Sequence, residues 1–145
     1  MRKVLVSKCL LECGYRYDSK DVRVKGLKEK LKDCEVIAIC PEVELLSLPV
    51  PRPRLKFVPA KDGVRLLRED DGRDFTEELR KKVREFLRSL GKIEEAYLKS
   101  KSPSCGVEDA KVYRCLDCEE EVGRRDGILT EELKKAFPDV KIHKL

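Results

Sequence analysis

The chain lacks three residue types entirely, since it contains no asparagine, no glutamine and no tryptophan. Histidine is nearly absent as well, and His143 is the only one. A single imidazole argues against zinc and non-haem iron sites that are built from several histidines. The missing amides are thermolabile residues, and their absence beside 42% charged residues is typical of a heat-adapted source.

Long apolar runs are also absent, and none approaches the length that a membrane-spanning helix needs. The first residues, MRKVLVSKCLL, carry a short apolar run with no small-residue cleavage site after it, so we interpret them as a strand. We therefore expect a cytoplasmic protein. No long block of one charge sign occurs, because 33 Lys and Arg nearly balance 28 Asp and Glu. This balance favours an ion-paired surface over a nucleic-acid interface, and it leaves RNA open as a partner.

Apolar runs typical of buried strands alternate with amphipathic stretches along the chain. Strands are predicted at residues 2–8, 34–40, 93–100, 111–114 and 140–144, a hairpin at 55–69, and helices at 24–33, 74–90 and 130–137. Four prolines within residues 41–54 predict a rigid, largely extended loop. The order predicts one α/β domain over residues 1–145, with a small, open, mostly parallel, Rossmann-like sheet flanked by helices and a hairpin insertion.

Three of the seven cysteines, Cys9, Cys40 and Cys105, lie just beyond the carboxyl ends of predicted strands. For any one of them alone, burial as a small apolar side chain is the simpler interpretation. Parallel sheets, however, bind ligands at the carboxyl edge of their strands, so the three thiols can converge there. Three thiolates leave one metal position open, which suits a catalytic zinc ion or an iron–sulfur cluster with one free iron.

The other four cysteines have different interpretations. Cys34 stands at a helix–strand junction and is assigned to packing, whereas Cys13 is close enough to the first site cysteine to serve as an accessory thiol. Cys115 and Cys118 form a single C-x-x-C pair, and a structural zinc ion needs a second pair that the sequence does not offer. A local redox or disulfide role is a comparable alternative for this pair.

Polar neighbours of the three cysteines suggest a reactive site. Glu42 follows Cys40 by two residues, behind a proline, and its carboxylate can act as a general acid or base. Ser102 and Ser104 precede Cys105, and their hydroxyls can hold a polar substrate or a water molecule. The plainer interpretation of SPSCG is an ordinary Ser-Pro turn with a helix cap.

Four motifs, VSKCLL…RYD (6–18), ICPEVE…PVPRP (39–53), DGRDFT (71–76) and KSPSCG (101–106), occur in this order. Together they resemble the family once catalogued as domain of unknown function 523, which includes thiouracil desulfidase. The resemblance spans about residues 3 to 106. The later segment departs from the family pattern, most visibly by its C-x-x-C pair.

The resemblance implies a [4Fe-4S] cluster held by Cys9, Cys40 and Cys105, and an enzyme that removes sulfur without redox chemistry from a thiolated pyrimidine or similar compound. The substrate sulfur would bind the open iron. Glu42 would be the acid/base that activates water, and Ser102, or else Ser104, would hold the water or the ring.

Three charged residues in the matching motifs, Arg16, Asp18 and Arg52, are candidates to contact the substrate, and a structural ion pair is an equally weighted alternative. Two other functions stay open. One is a non-catalytic zinc or iron–sulfur module in sulfur transfer or tRNA binding. The other is a thiol redox protein that uses Cys115 and Cys118.

Overall fold

The backbone forms two four-stranded sheets and three helices in the computed structural model, which describes all 145 residues. The strands are β1 (Lys3–Ser7), β2 (Glu35–Ile39), β3 (Leu55–Ala60), β4 (Gly63–Arg68), β5 (Glu95–Leu98), β6 (Ala110–Tyr113), β7 (Glu121–Arg125) and β8 (Lys141–Lys144). The helices are α1 (Leu27–Lys30), α2 (Thr76–Ser89) and α3 (Ile128–Ala136). None of the helices has the length and apolar character needed to span a lipid bilayer.

The first sheet is entirely parallel and has the strand order β2-β1-β5-β8. The second sheet is mixed and has the order β4-β3-β6-β7. Its β3–β4 and β6–β7 pairs are antiparallel, while β3 and β6 run parallel. These findings confirm the α/β class and the parallel sheet that the sequence predicts.

Side chains of the central strand β1 alternate between two apolar clusters, as the pleat of a strand requires. Leu5 belongs to the main core, which also contains the inner face of α2 and much of the second sheet. Val4 and Val6 point the other way, into a smaller cluster with Leu27 of α1. The sheet is thus covered on both faces, as is usual for parallel sheets.

Helix α2 begins and ends close to the start and stop residues of its sequence, Asp74 and Gly91. Asp74 Oδ1 accepts a hydrogen bond of 2.8 Å from the backbone N–H of Thr76, which satisfies one of the free donors of the first turn. Leu79, Val83 and Leu87 follow at helical spacing and are buried, and each burial contributes roughly 1.5–3 kcal/mol. Gly91 adopts the left-handed conformation, with φ of 72°, just beyond the helix end.

Three local expectations differ from the structure. The first helix is shorter than residues 24–33, because Gly26 precedes it in a left-handed conformation and Leu31 already lies beyond its end. Residues 41–54 are not extended throughout but begin with a π-helical turn, Pro41–Leu45, because proline suits the first turn of a helix. The predicted hairpin is part of a full four-stranded sheet, which also contains β6 and the unpredicted β7. Val122 is the only large apolar residue of β7 and is 50% exposed, so this strand has no apolar pattern.

Candidate functional site

The site lies at the carboxyl edge of the parallel sheet, at the point where the strand order reverses. From β1 the chain moves to β2 on one side, and it later returns to place β5 on the other side. Cys9 lies in a 3₁₀ turn after β1, Cys40 directly follows β2, and Cys105 lies within the loop between β5 and β6. All three line one cavity of about 170 Å³. The predicted convergence of the three thiols is therefore present.

Charges in the cavity wall are mostly positive. Five cationic side chains contribute to it, namely Lys8, Arg16, Arg52, Lys99 and Lys101. Glu42 is the only carboxylate in the wall. Such a wall attracts anions and offsets the negative charge that three thiolates would bring into a partly buried site.

The three thiols are held in a poorly solvated environment. Burial raises the pKa of Cys105, which is 3% exposed, to about 12. Burial is also the main reason why the pKa of Cys9 rises to about 11 and why that of Cys40 is raised, and the neighbouring site thiol adds to the shift at Cys9. At neutral pH the metal-free thiols are protonated, so metal binding there must displace protons.

Cys40 is fixed by contacts that sequence reasoning did not find. Its backbone N–H donates to Glu44 Oε1 at 2.8 Å, and Glu44 Oε2 pairs with Lys8 at 3.3 Å. Glu44 thereby links the turns that carry the first two cysteines. The Cys40 thiol lies 3.7 Å from the carbonyl oxygen of Tyr15, which also lines the cavity. Both tyrosines of the YRYD segment lie in the cavity wall, and they are the sequence feature that could have indicated this contact.

The loop that carries Cys105 is held by its own serine and by helix α3. Ser102 Oγ accepts hydrogen bonds from the backbone N–H of Ser104 at 3.2 Å and of Cys105 at 3.0 Å. Thr130 Oγ1 of α3 donates to the Cys105 carbonyl oxygen at 2.9 Å. At Gly127, a Cβ atom would lie 2.4 Å from the carbonyl carbon of Ser104, so only glycine permits this close approach.

Both predicted serines line the cavity, and their hydroxyl oxygens lie 3.1 Å apart. Ser104 is buried, and its hydroxyl lies 3.8 Å from the sulfur of Cys105. Ser102 is only half-buried, and two backbone donors fix its oxygen in place. The more exposed of the two hydroxyls is therefore also the more rigidly placed.

Glu42 and Arg52 form a buried ion pair at the cavity wall. Arg52 Nε donates to Glu42 Oε1 at 3.1 Å, and the two side chains are only 4% and 9% exposed. The remaining guanidinium nitrogens of Arg52 donate to the carbonyl oxygens of Pro49 and Tyr15. The guanidinium is thus committed to protein acceptors, while Glu42 Oε2 accepts none of the protein's hydrogen bonds.

Of the other two charged candidates, only Arg16 lines the cavity. Arg16 lines the cavity, and its guanidinium lies 3.4 Å from the carboxylate of Asp18. Asp18 is not part of the wall and also accepts a hydrogen bond from the backbone N–H of Lys20. Its contacts are those of a residue that orients Arg16.

The remaining cysteines lie outside the cavity wall. Cys13 is exposed, and Cys34 packs against the smaller apolar cluster. Cys115 and Cys118 are joined as a disulfide. No group of three or more His, Cys, Asp or Glu side chains is compact enough to hold a single metal ion.

Comparison with known proteins gives the chain its family. The model of the family described as 2-thiouracil desulfurase matches residues 4–144. The chain belongs to the 2-thiouracil desulfurase family. The family match therefore confirms the resemblance carried by the four motifs and extends it through the segment that contains the C-x-x-C pair. None of the curated proteins matches the sequence significantly.

A solved structure supports the same membership. It is described as a "[4Fe-4S]-dependent thiouracil desulfidase TudS" and shares 27% sequence identity with this chain. The alignment covers 99% of this chain and 91% of that one, with a TM-score of 0.74. The similarity in fold therefore extends over nearly the whole length of this desulfurase family member.

Proposed function

We propose that this protein is a [4Fe-4S]-dependent desulfidase that removes sulfur from a thiolated nucleobase such as 2-thiouracil. Family membership and the description of the solved relative support this function. One observation carries it furthest: three separate strands deliver three cysteines, one carboxylate and two serine hydroxyls to the same cavity.

The donor set fits the proposed cluster. Cysteine thiolates are the ligands of iron–sulfur clusters, and Cys9, Cys40 and Cys105 would hold this one. All three cysteines line the same cavity of about 170 Å³. When bound, such a cluster supplies a thiophilic iron with an open position, which acts as a Lewis acid towards the substrate sulfur.

Glu42 is placed to move the protons of the reaction. Its Oε1 is held by Arg52, so the carboxylate has one orientation, and its Oε2 is free to accept a proton from a water molecule. The water would attack the carbon that carries sulfur, and the carboxyl group would return the proton to the departing product. Arg52 acts through Glu42 in this account and is a positioning residue.

The remaining side chains would bind and orient the substrate. Ser102 Oγ accepts two backbone donors, so its hydrogen is left to donate to Ser104 Oγ or to a substrate or water oxygen. Arg16 lies in the wall with one ion-pair partner, Asp18 at 3.4 Å, so its guanidinium has further N–H donors for a nucleobase oxygen. Asp18 would limit the orientations that the guanidinium can adopt.

Turnover by anaerobically purified, brown protein tests this function. With 2-thiouracil, we expect uracil and hydrosulfide to appear together, at a rate that requires the cluster. A colourless zinc-loaded protein without turnover would instead support the non-catalytic binding module. A brown protein that binds 2-thiouracil without forming uracil would contradict the catalytic proposal.

A further inference from the structure

A second cavity of about 210 Å³ adjoins the candidate site. The two cavities share a wall made of Arg16, Tyr17, Glu42, Lys101 and Pro103. The second cavity continues from this wall towards β3 and β6 of the mixed sheet, where it ends on Lys56 and Tyr113. A small product formed at the first cavity thus has a neighbouring compartment inside the protein.

The wall of the second cavity favours small anions. It contains five cations, Arg16, Arg54, Lys56, Lys101 and Lys111, and Glu42 is its only carboxylate. Two of the cations are partly neutralised from outside the cavity, because Arg54 and Lys56 both pair with Glu119. Hydrosulfide, the sulfur product of the proposed reaction, is such an anion near neutral pH and is drawn to a positive compartment.

The Cys115–Cys118 disulfide lies behind this cavity, in a turn that the wall residue Lys56 holds. Lys56 is 2% exposed, and its Nζ donates to the carbonyl oxygens of Leu116 at 3.0 Å and of Cys118 at 2.7 Å. The same Nζ lies 4.3 Å from the centre of the Tyr113 ring. One buried lysine therefore belongs to the cavity wall and also holds the turn that contains the disulfide.

We propose that the Cys115–Cys118 disulfide is a sulfur-acceptor site that captures the hydrosulfide released at the neighbouring cavity. This inference rests on the proposed desulfidase function. The sulfur of hydrosulfide attacks one disulfide sulfur, a new S–S bond forms, and the Cys–Cys bond breaks. The products are a persulfide on one cysteine and a thiolate on the other. Hydrosulfide is oxidised to sulfane sulfur while the disulfide is reduced, so atoms, charge and electrons balance without another reagent.

The geometry selects the cysteine that becomes the persulfide. The backbone N–H of Cys115 lies 3.1 Å from Cys118 Sγ and is directed at it. This hydrogen bond stabilises a thiolate on Cys118, which makes Cys118 the better leaving group. The incoming sulfur therefore bonds to Cys115. Return attack by the Cys118 thiolate restores the disulfide and releases hydrosulfide, so the capture is reversible.

The experiment has two arms that use the oxidised, cluster-containing protein without oxygen. In the first arm the protein turns over 2-thiouracil, and in the second it receives equimolar sodium sulfide and no thiouracil. Iodoacetamide stops both arms, and mass spectrometry measures added sulfur on the tryptic peptide 115–124, which contains both cysteines. Uracil and free sulfide are measured in parallel.

In the first arm we expect free sulfide to fall short of uracil by the amount of sulfur found on Cys115. In both arms Cys118 should be alkylated without added sulfur. The same protein, reduced beforehand with dithiothreitol and desalted, serves as the control of identical sequence and should lose the signal. Cys118→Ser should lose it too, and Cys34→Ser, which removes a half-buried cysteine elsewhere, should keep it.

Equal amounts of sulfide and uracil, with no added sulfur on peptide 115–124 in either arm, would overturn the proposal. Added sulfur on Cys13 or on the site cysteines alone would overturn it as well. If thiouracil gives no uracil while sodium sulfide still labels Cys115, the proposed function fails and the acceptor site stands. The two failures are therefore distinguishable.

Discussion

The two ends of the parallel sheet differ in how they treat their charged and reactive groups. At the amino end, Glu95 of β5 accepts a hydrogen bond of 2.6 Å from His143 and lies 3.2 Å from Arg2. Lys3 of β1 pairs there with Glu35 of β2. The carboxyl end instead collects thiols, cations and one carboxylate around a cavity.

This difference separates stability from function within one sheet. The buried carboxylate of Glu95 at the amino end is ion-paired with Arg2 and His143, which is what a structural role requires. At the carboxyl end, burial raises the pKa of the three thiols, and other groups keep a free hydrogen-bond donor or acceptor. Reactive sites are often arranged in this way. Substitutions at the two ends should therefore affect different measurements.

The largest effect is expected from loss of a cysteine at the carboxyl end. Cys9→Ala removes one of three proposed ligands, so anaerobically purified protein should lose its brown colour, its bound iron and its activity together. Cys34→Ala changes a half-buried cysteine at the amino end and should keep all three. Visible absorption and metal analysis check both variants. Equal iron content in the two variants would contradict the ligand assignment.

The next largest effect is expected at Glu42, where a substitution should lower turnover without loss of the cluster. Glu42→Gln keeps the size of the side chain but removes its capacity to take up a proton, so turnover of 2-thiouracil should fall by roughly 10²–10⁴-fold. Visible absorption should match that of the unaltered protein. The control is the exposed Glu12→Gln, in which turnover should persist. Full activity in Glu42→Gln would show that another group moves the proton.

A smaller effect is expected when Glu42 is kept but its partner is removed. Arg52→Met leaves the carboxylate without its fixed orientation, so kcat should fall by about tenfold to a hundredfold while KM changes little. Arg16→Met removes a proposed substrate contact and should mainly raise KM. Steady-state kinetics of both variants distinguish the two roles. If Arg52→Met raised KM alone, a direct substrate contact would replace the positioning role.

The smallest effect is expected at the amino end and concerns stability alone. The hydrogen bond from His143, and next the charge of Arg2, hold the pKa of Glu95 below its ordinary value of 4.5. Because the folded state favours the ionised form, this stabilisation is present above the ordinary value and is lost as the pH falls through the lowered pKa. Glu95→Gln should reduce the free energy of unfolding by about 1–3 kcal/mol at neutral pH.

The difference in the free energy of unfolding between Glu95→Gln and the unaltered protein should shrink in acid, because Glu95 is then protonated and uncharged like glutamine. Urea unfolding at a series of pH values measures it. Glu94→Gln, at the neighbouring exposed position, should stay within about 0.5 kcal/mol of the unaltered protein. Turnover should be unchanged in both variants, and a loss of activity in Glu95→Gln would break the separation between the two ends.

The sequence predicts the parts of the site that follow from strand ends. Cys9 and Cys40 lie within two residues of β1 and β2, so the rule that parallel sheets bind ligands at their carboxyl edge brings them together. Glu42 follows from its closeness to Cys40. Cys105 was found by the same rule, although a longer loop delivers it.

Contacts between distant loops are not predictable in this way. The link between Arg52 and Glu42 depends on the path of a proline-rich loop, and the link between Glu44 and Lys8 depends on an unpredicted π-helical turn. Strand β7 was missed because partly exposed edge strands lack an apolar period. The second cavity arises only when both sheets are assembled, so no local pattern reveals it.

The content of iron and acid-labile sulfide after anaerobic purification or reconstitution tests the central claim most directly. A [4Fe-4S] cluster on Cys9, Cys40 and Cys105 predicts about four irons and about four sulfides per chain, with broad visible absorption. A colourless protein that contains zinc and no iron would contradict it.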